Sequence, residues 1–156
     1  MFTLDIPGFG PVRAKHLVLD YNGTLAEDGR LVEGVAQRLH QLADRLSIHV
    51  ITADTFGSVQ EALMGLPLGI ATLGPGNQEA AKRAFVEDLG AEHVIAMGNG
   101  RNDAAMLKAA RIGMSILMKE GSCAQTLMQA DLVSRHICEA LDLLLHPLRL
   151  VATLRH

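Results

Sequence analysis

Short aliphatic runs alternate with longer stretches of helical periodicity along most of this chain. His16-Leu17-Val18-Leu19-Asp20 is a brief apolar run closed by an acid, the pattern of a strand buried on both faces. Behind it Val32, Val35, Leu39, Leu42 and Leu46 recur at helical spacing with polar residues between them, which predicts a helix over residues 31–46. The same alternation repeats as strand 48–51 and helix 59–64, strand 69–73 and helix 78–89, then strand 94–97 and helix 103–110. Residues 112–117 read as a fifth strand and Leu132-Val133 as a weak sixth, set between helical segments 123–129 and 137–145. Strands that alternate with helices over the whole length predict a three-layer α/β/α, doubly wound, mainly parallel sheet. Residues 2–9 alternate weakly and end at Pro7-Gly8, with Pro11 beyond, which predicts a short N-terminal hairpin at an edge. No repeat, linker or low-complexity tract interrupts the pattern, so residues 1–156 read as one domain.

Composition narrows the functional classes. With 49% hydrophobic residues in 156, the chain is long enough to bury a core without disulfides or a structural metal. Its net charge of −3 and the absence of a dense Lys/Arg run argue against nucleic acid as a partner. Cys123 and Cys138 form no C-x-x-C pair and read as buried thiols of a reducing, cytoplasmic compartment. No apolar stretch reaches the ~18 residues of a membrane span. The seven histidines are scattered, with no i, i+4 pair of the kind that binds zinc. Leu141, Leu143, Leu144, Leu145, Leu148 and Leu150 exceed what one helix face needs, which predicts a buried subunit interface.

In doubly wound sheets ligands bind beyond the carboxyl ends of the strands. Three polar clusters fall there: Asp20-Tyr21-Asn22-Gly23-Thr24, Thr52-Ala53-Asp54, and Gly98-Asn99-Gly100-Arg101-Asn102-Asp103. Lys82 adds a cation near the start of a helix. Each cluster taken singly has a structural explanation: Asn22-Gly23 is a turn dipeptide, and Thr52, Asp54, Asn102 or Asp103 could cap a helix. Together they would gather two carboxylates, a hydroxyl, amides and a lysine on one rim. Asp20 and Asp103 offer hard oxygen ligands for Mg²⁺, while Thr52, Lys82 and glycine-flanked backbone N–H groups offer donors to a phosphate. That donor set suits phosphoryl transfer, with Asp20 as a carboxylate nucleophile.

The ordered motifs Leu-Asp-Tyr-Asn-Gly-Thr-Leu (19–25), Ile-Thr-Ala-Asp (51–54), Lys82 and Gly-Asn-Gly-Arg-Asn-Asp (98–103) resemble those of the haloacid dehalogenase-like superfamily across about residues 16–135. Within it the chain looks similar to the phosphorylation domain of P-type ATPases, whose second motif is Thr-Gly-Asp and whose fourth is Gly-Asp-Gly-x-Asn-Asp. The resemblance implies that Asp20 takes the phosphoryl group and that the Asn22 carbonyl, Asn99 and Asp103 join Asp20 in holding Mg²⁺. It also implies that Thr52, Ala53, Asp54 and Asn102 hold substrate, and that Lys82 neutralises Asp20 and the phosphate. The intervals 20–54 and 54–82 are too short for a cap domain. Capless relatives close their sites with a neighbouring subunit or act on large substrates, which implies a homo-oligomer and either a small phosphorylated substrate or a phosphoprotein.

Two positions depart from the pattern: Asn22 stands where phosphatases of the superfamily carry an acid–base Asp, and Asn99 stands where they carry an acid. An amide cannot relay protons, and that help is typically worth about 10²–10⁴-fold. The expected activity is therefore a slow Mg²⁺-dependent phosphohydrolase or phosphotransferase working through an aspartyl-phosphate. The alternative is a regulatory or scaffolding module that keeps the phosphate pocket without turnover. A two-component receiver ranks third, because the candidate nucleophile follows the first strand and is trailed by Gly-Thr.

Overall fold

The structure, a computed structural model, describes residues 1–54 and 57–156. Its centre is a six-stranded sheet of β3 (His16–Asp20), β6 (Ser47–Thr52), β7 (Gly69–Thr72), β8 (Val94–Gly98), β9 (Ile112–Ile116) and β10 (Leu132–Ser134). The spatial order is β10-β9-β8-β3-β6-β7, and every pairing in it is parallel. Chain order therefore reverses between β3 and β8, and a crevice opens beyond their carboxyl ends at that switch point.

Strand alternation divides the core into two layers. Leu17, Leu19, Ile48, Val50, Ile95 and Met97 face one side, where they join Val35, Leu39 and Leu42 of α1 (Val35–Leu42) and Leu141 and Leu144 of α6 (Ile137–Leu145). Val18, Ile51, Val94 and Ala96 face the other, against Val86 of α3 (Gln78–Asp88) and Met106 and Leu107 of α4 (Ala104–Ala109). The three-layer, doubly wound architecture expected from the pattern is the architecture found, and its sheet is parallel throughout.

Three local readings are corrected. The helix expected over 31–46 is confined to Val35–Leu42, because Gly34 turns the chain through a left-handed conformation (φ 86°). Arg30–Leu31 (β5) instead pairs antiparallel with Ala26–Glu27 (β4) in a small flap. The N-terminal hairpin, β1 (Phe2–Ile6) with β2 (Gly10–Ala14), is present but forms its own two-stranded sheet. Side chains, not a strand ladder, tie it down: Phe2, Ile6, Val12 and Ala14 are buried in the core, His93 Nδ1 lies 2.8 Å from the Arg13 carbonyl, and Arg111 donates to the Phe9 and Pro11 carbonyls and stacks 4.3 Å from the Phe9 ring centroid. The leucine surplus is mostly spent inside the chain. Pro147 opens a further helix, α7 (Pro147–Leu154), where proline is tolerated because the first turn's N–H groups lack partners anyway. That helix buries Leu150 beside β1, and Leu143 and Leu145 pack on the same core, leaving Leu148 exposed. Of the two cysteines, Cys138 is buried and Cys123 half-buried, both free thiols. Among the described residues no helix is long and apolar enough to cross a membrane.

Candidate active site

Asp20 is the last residue of β3, and Asn99 to Asp103 follow β8, so the switch point places both segments at one rim. Lys82 arrives from the first turns of α3, whose start is fixed by Asn77 accepting a hydrogen bond from Ala80 N at 3.1 Å. The Lys82 ammonium donates to Asp20 Oδ1 and to Asp103 Oδ1, each at 2.7 Å, and the side chain is almost fully buried. Asp103 Oδ2 accepts the backbone N–H groups of Asn99 (3.0 Å) and Gly100 (2.9 Å). Gly98 makes that fold-back feasible, since a Cβ there would lie 2.6 Å from the Asp103 carboxyl carbon.

The electrostatics follow from two carboxylates sharing one ammonium away from water. Burial, with the Asp103 charge beside it, pushes the Asp20 carboxyl up to about 7 against the opposing pull of Lys82 and Thr24. Burial alone would lower the Lys82 ammonium, but Asp20 and Asp103 outweigh it, and its pKa is raised. The site is thus short of positive charge, and a cation or a proton at Asp20 relieves the deficit.

Thr24, four residues after Asp20, is fully buried and bridges the two segments. Its hydroxyl lies 3.3 Å from Asp20 Oδ2 and 3.2 Å from Asn99 Oδ1. Gly23 (φ 75°) permits the approach, because any Cβ would meet the Asn99 amide at 2.3 Å. Asn99 is held in turn by donating to Gly121 O (3.0 Å), while its carbonyl accepts from Cys123 N (2.8 Å) and Ser122 Oγ (3.2 Å). Thr52 ends β6, and its Oγ1 accepts from Asp54 N at 3.0 Å.

A cleft of about 250 Å³ joins these groups, lined by Asp20, Asn22, Thr52, Ala53, Lys82, Asn99 and Asn102, together with Gln78, Gly100 and Glu120. Of the residues expected from the sequence, Asp103 lies just beneath, reached through Lys82. Asp54 does not enter this cleft. It accepts from Ser58 Oγ (2.8 Å) and Val59 N (2.9 Å) at the start of α2 (Ser58–Ala62), as the helix-capping explanation predicts, and lines an adjoining cleft with Tyr21 and Asn22. Arg101 is exposed and lies outside the lining of either cleft. The sequence reading missed Thr24, Gln78 and Glu120. Thr24 lies inside the first polar cluster, four positions past Asp20, and that proximity was the available signal. Gln78 accepts from Asn102 Nδ2 at 2.9 Å, and nothing local marks it.

The oxygen donors fit a hard divalent ion. Asp20 and Asp103 both reach one ammonium, the Asn99 side-chain oxygen faces Thr24, and Asn22 borders the cleft. Among the described residues no cluster of three His, Cys, Asp or Glu side chains is placed to hold a metal, so such a site would rely partly on neutral oxygens.

Comparison with known proteins finds a family match and shared folds. A family described as haloacid dehalogenase-like hydrolases matches residues 80–139. An uncharacterized protein of Methanocaldococcus jannaschii is 40% identical over 84 residues, spanning 51% of this chain and 90% of the relative. The fold superimposes on 3-deoxy-D-manno-octulosonate 8-phosphate phosphatase from Moraxella catarrhalis, in complex with magnesium, phosphate and KDO (TM-score 0.68, 19% identity, 91% of this chain and 94% of that one). The cobalt-bound phosphatase of the same type from Haemophilus influenzae gives TM-score 0.68 at 15% identity, covering 86% and 88% of the two chains.

Proposed function

Because this chain belongs to the haloacid dehalogenase-like superfamily, we propose that it is a divalent-metal-dependent phosphohydrolase or phosphotransferase in which Asp20 carries the phosphoryl group. The observation that carries this reading is the buried Asp20–Lys82–Asp103 triangle at the base of the cleft beyond β3 and β8. A carboxylate with one ammonium shared between two acids is matched to a ligand that brings a phosphate and a cation together.

Each side chain has a defined task. Asp20 attacks phosphorus and expels the leaving group. Lys82 spends two of its three N–H donors on carboxylates, which leaves one for a phosphate oxygen. Thr52 receives the Asp54 N–H on its oxygen, so its own O–H remains available to donate to phosphate. Asn102, steadied by Gln78, presents an amide to the same cleft. Asp20, the Asn22 carbonyl, Asn99 and Asp103 would hold Mg²⁺, which supplies charge neutralisation of the phosphoryl group.

Asn22 shapes the substrate preference. With no acid at that position, good leaving groups such as acyl phosphates are favoured over alkyl esters. Acetyl phosphate and an aryl phosphate ester, each assayed with Mg²⁺, test the reading. Wild type is expected to release phosphate, and Asp20→Asn to fall to background. Equal rates in the two proteins overturn it.

The second reading, a phosphate-binding regulatory module without turnover, is favoured by Asn22 and Asn99 themselves. It predicts a phosphoryl adduct that persists with no further phosphate release.

A further inference from the structure

We infer that Glu120 is the proton acceptor that releases the phosphoryl group from Asp20. This rests on the Asp20 phosphoryl reading above and adds the base that Asn22 cannot supply.

The argument starts from the cleft lining. Among the described residues that line it, two side chains are carboxylates: Asp20, which would be blocked once phosphorylated, and Glu120. Lys82 is committed as a cation between two acids, and the remaining polar groups are amides and the Thr52 hydroxyl, which do not take a proton from water near neutral pH. One side chain of the lining is therefore chemically able to accept a proton during hydrolysis.

Its placement is built on two sides. Glu120 lies in the segment between β9 and α5 (Ala124–Gln129), where Gly121 O accepts from the Asn99 amide and Cys123 N donates to Asn99 O. The residue that faces Asp20 through Thr24 thus also fixes the backbone carrying Glu120. From the flap, Asp28 N donates to Glu120 Oε1 at 3.3 Å, and Glu27 pairs with Lys119 at 2.9 Å. An exposed glutamate ordinarily loses side-chain entropy when held in one place. Here the flap and the Asn99 contacts restrict it at the cleft mouth, with Oε2 making no hydrogen bond among the described residues.

The step balances. A water oxygen attacks the phosphorus carried by Asp20, the bond from phosphorus to the Asp20 oxygen breaks, and Asp20 leaves as a carboxylate. Water's proton passes to Glu120, which later returns it to solvent, and inorganic phosphate is released.

Glu120→Gln and Glu120→Ala separate proton transfer from positioning, because a glutamine oxygen still accepts the Asp28 N–H while its amide cannot take a proton. In a single-turnover experiment with acetyl phosphate and Mg²⁺, followed by intact mass and phosphate release, both variants are expected to form the Asp20-dependent adduct at the wild-type rate. Both are then expected to lose it about 10²-fold or more slowly. Adduct decay in Glu120→Gln at the wild-type rate overturns the inference, whether or not Glu120→Ala is slow, since a slow alanine variant alone denotes positioning. Failure of the wild type to form any adduct overturns the Asp20 reading and this one with it, so the two failures are distinct.

Discussion

Thr24 and Asn99 lie 75 positions apart in sequence, yet the Thr24 hydroxyl reaches the Asn99 side-chain oxygen at 3.2 Å. The same hydroxyl faces Asp20, so a single proton serves two buried acceptors. Thr24→Val keeps the volume and removes that donor. It should cost about 1–3 kcal/mol in urea denaturation, while Thr24→Ser costs less because the donor survives. Equal losses for valine and serine would point to packing alone.

Lys82 is the sole ammonium between two buried acids in the described site, so Lys82→Met should be among the most damaging single changes, about 3–5 kcal/mol at neutral pH. The pH dependence has a definite sign. Asp20 already has a folded-state pKa near 7, above its unfolded value of 3.8, so ionising it disfavours the fold above pH 7. Without the ammonium that penalty grows, and it is relieved as pH falls toward 4. Chemical denaturation at pH 8 and pH 5.5 should therefore show a smaller wild-type-to-mutant gap at the lower pH; a gap that widens on acidification contradicts the charge assignment.

Arg38 clamps α1 to α6 through two hydrogen bonds to Asp142, at 2.8 and 3.0 Å. The hydrogen bond from Arg38 holds the Asp142 carboxyl below its ordinary value of 3.8. Its stabilisation is therefore present above pH 3.8 and lost as pH falls through the lower folded value. Asp142→Asn should cost about 1 kcal/mol at pH 7, since the pair is partly solvated, and the difference from wild type should shrink as pH falls below 3.8.

In the proposed mechanism Asn22 limits turnover, because its amide does not titrate. Asn22→Asp should accelerate hydrolysis of a poor-leaving-group ester by about 10²-fold or more, and acetyl phosphate hydrolysis by less, because acetate needs no acid to depart. The ratio of the two accelerations in steady-state assays is the measurement. A uniform change, or none, argues that Asn22 does not set the leaving-group preference.

Much of this organisation is visible in the sequence, for physical reasons. Strands such as 16–20 and 94–98 are buried on both faces, so they stand out as unbroken aliphatic runs ending in polar residues at the carboxyl-end rim of the sheet. That is why the sequence alone groups Asp20, Thr52, Asn99 and Asp103 at one end of the sheet. Helical periodicity misled where a different structure satisfies the same spacing. Leu31 and Val32 keep the rhythm of α1, but the left-handed turn at Gly34 sends them into the flap and its surroundings. The leucines of 141–150 exceed the need of one helix face because two successive helices, not one, bury most of them. Gln78 and Glu120 carry no local signal, since they join the cleft lining only through the placement of α3 and of the segment between β9 and α5. The likeness to P-type ATPases rests on the motifs at 19–25, 51–54 and 98–103, whereas the structural comparisons described above are with sugar-phosphate phosphatases.

The location of the phosphoryl group tests the central claim most directly. After brief exposure to acetyl phosphate and Mg²⁺, acid quenching, borohydride reduction and peptide mapping should convert one residue, Asp20, to homoserine. No such conversion should occur in Asp20→Asn or without divalent metal. Label on any other side chain, or an adduct that survives in Asp20→Asn, would contradict the account.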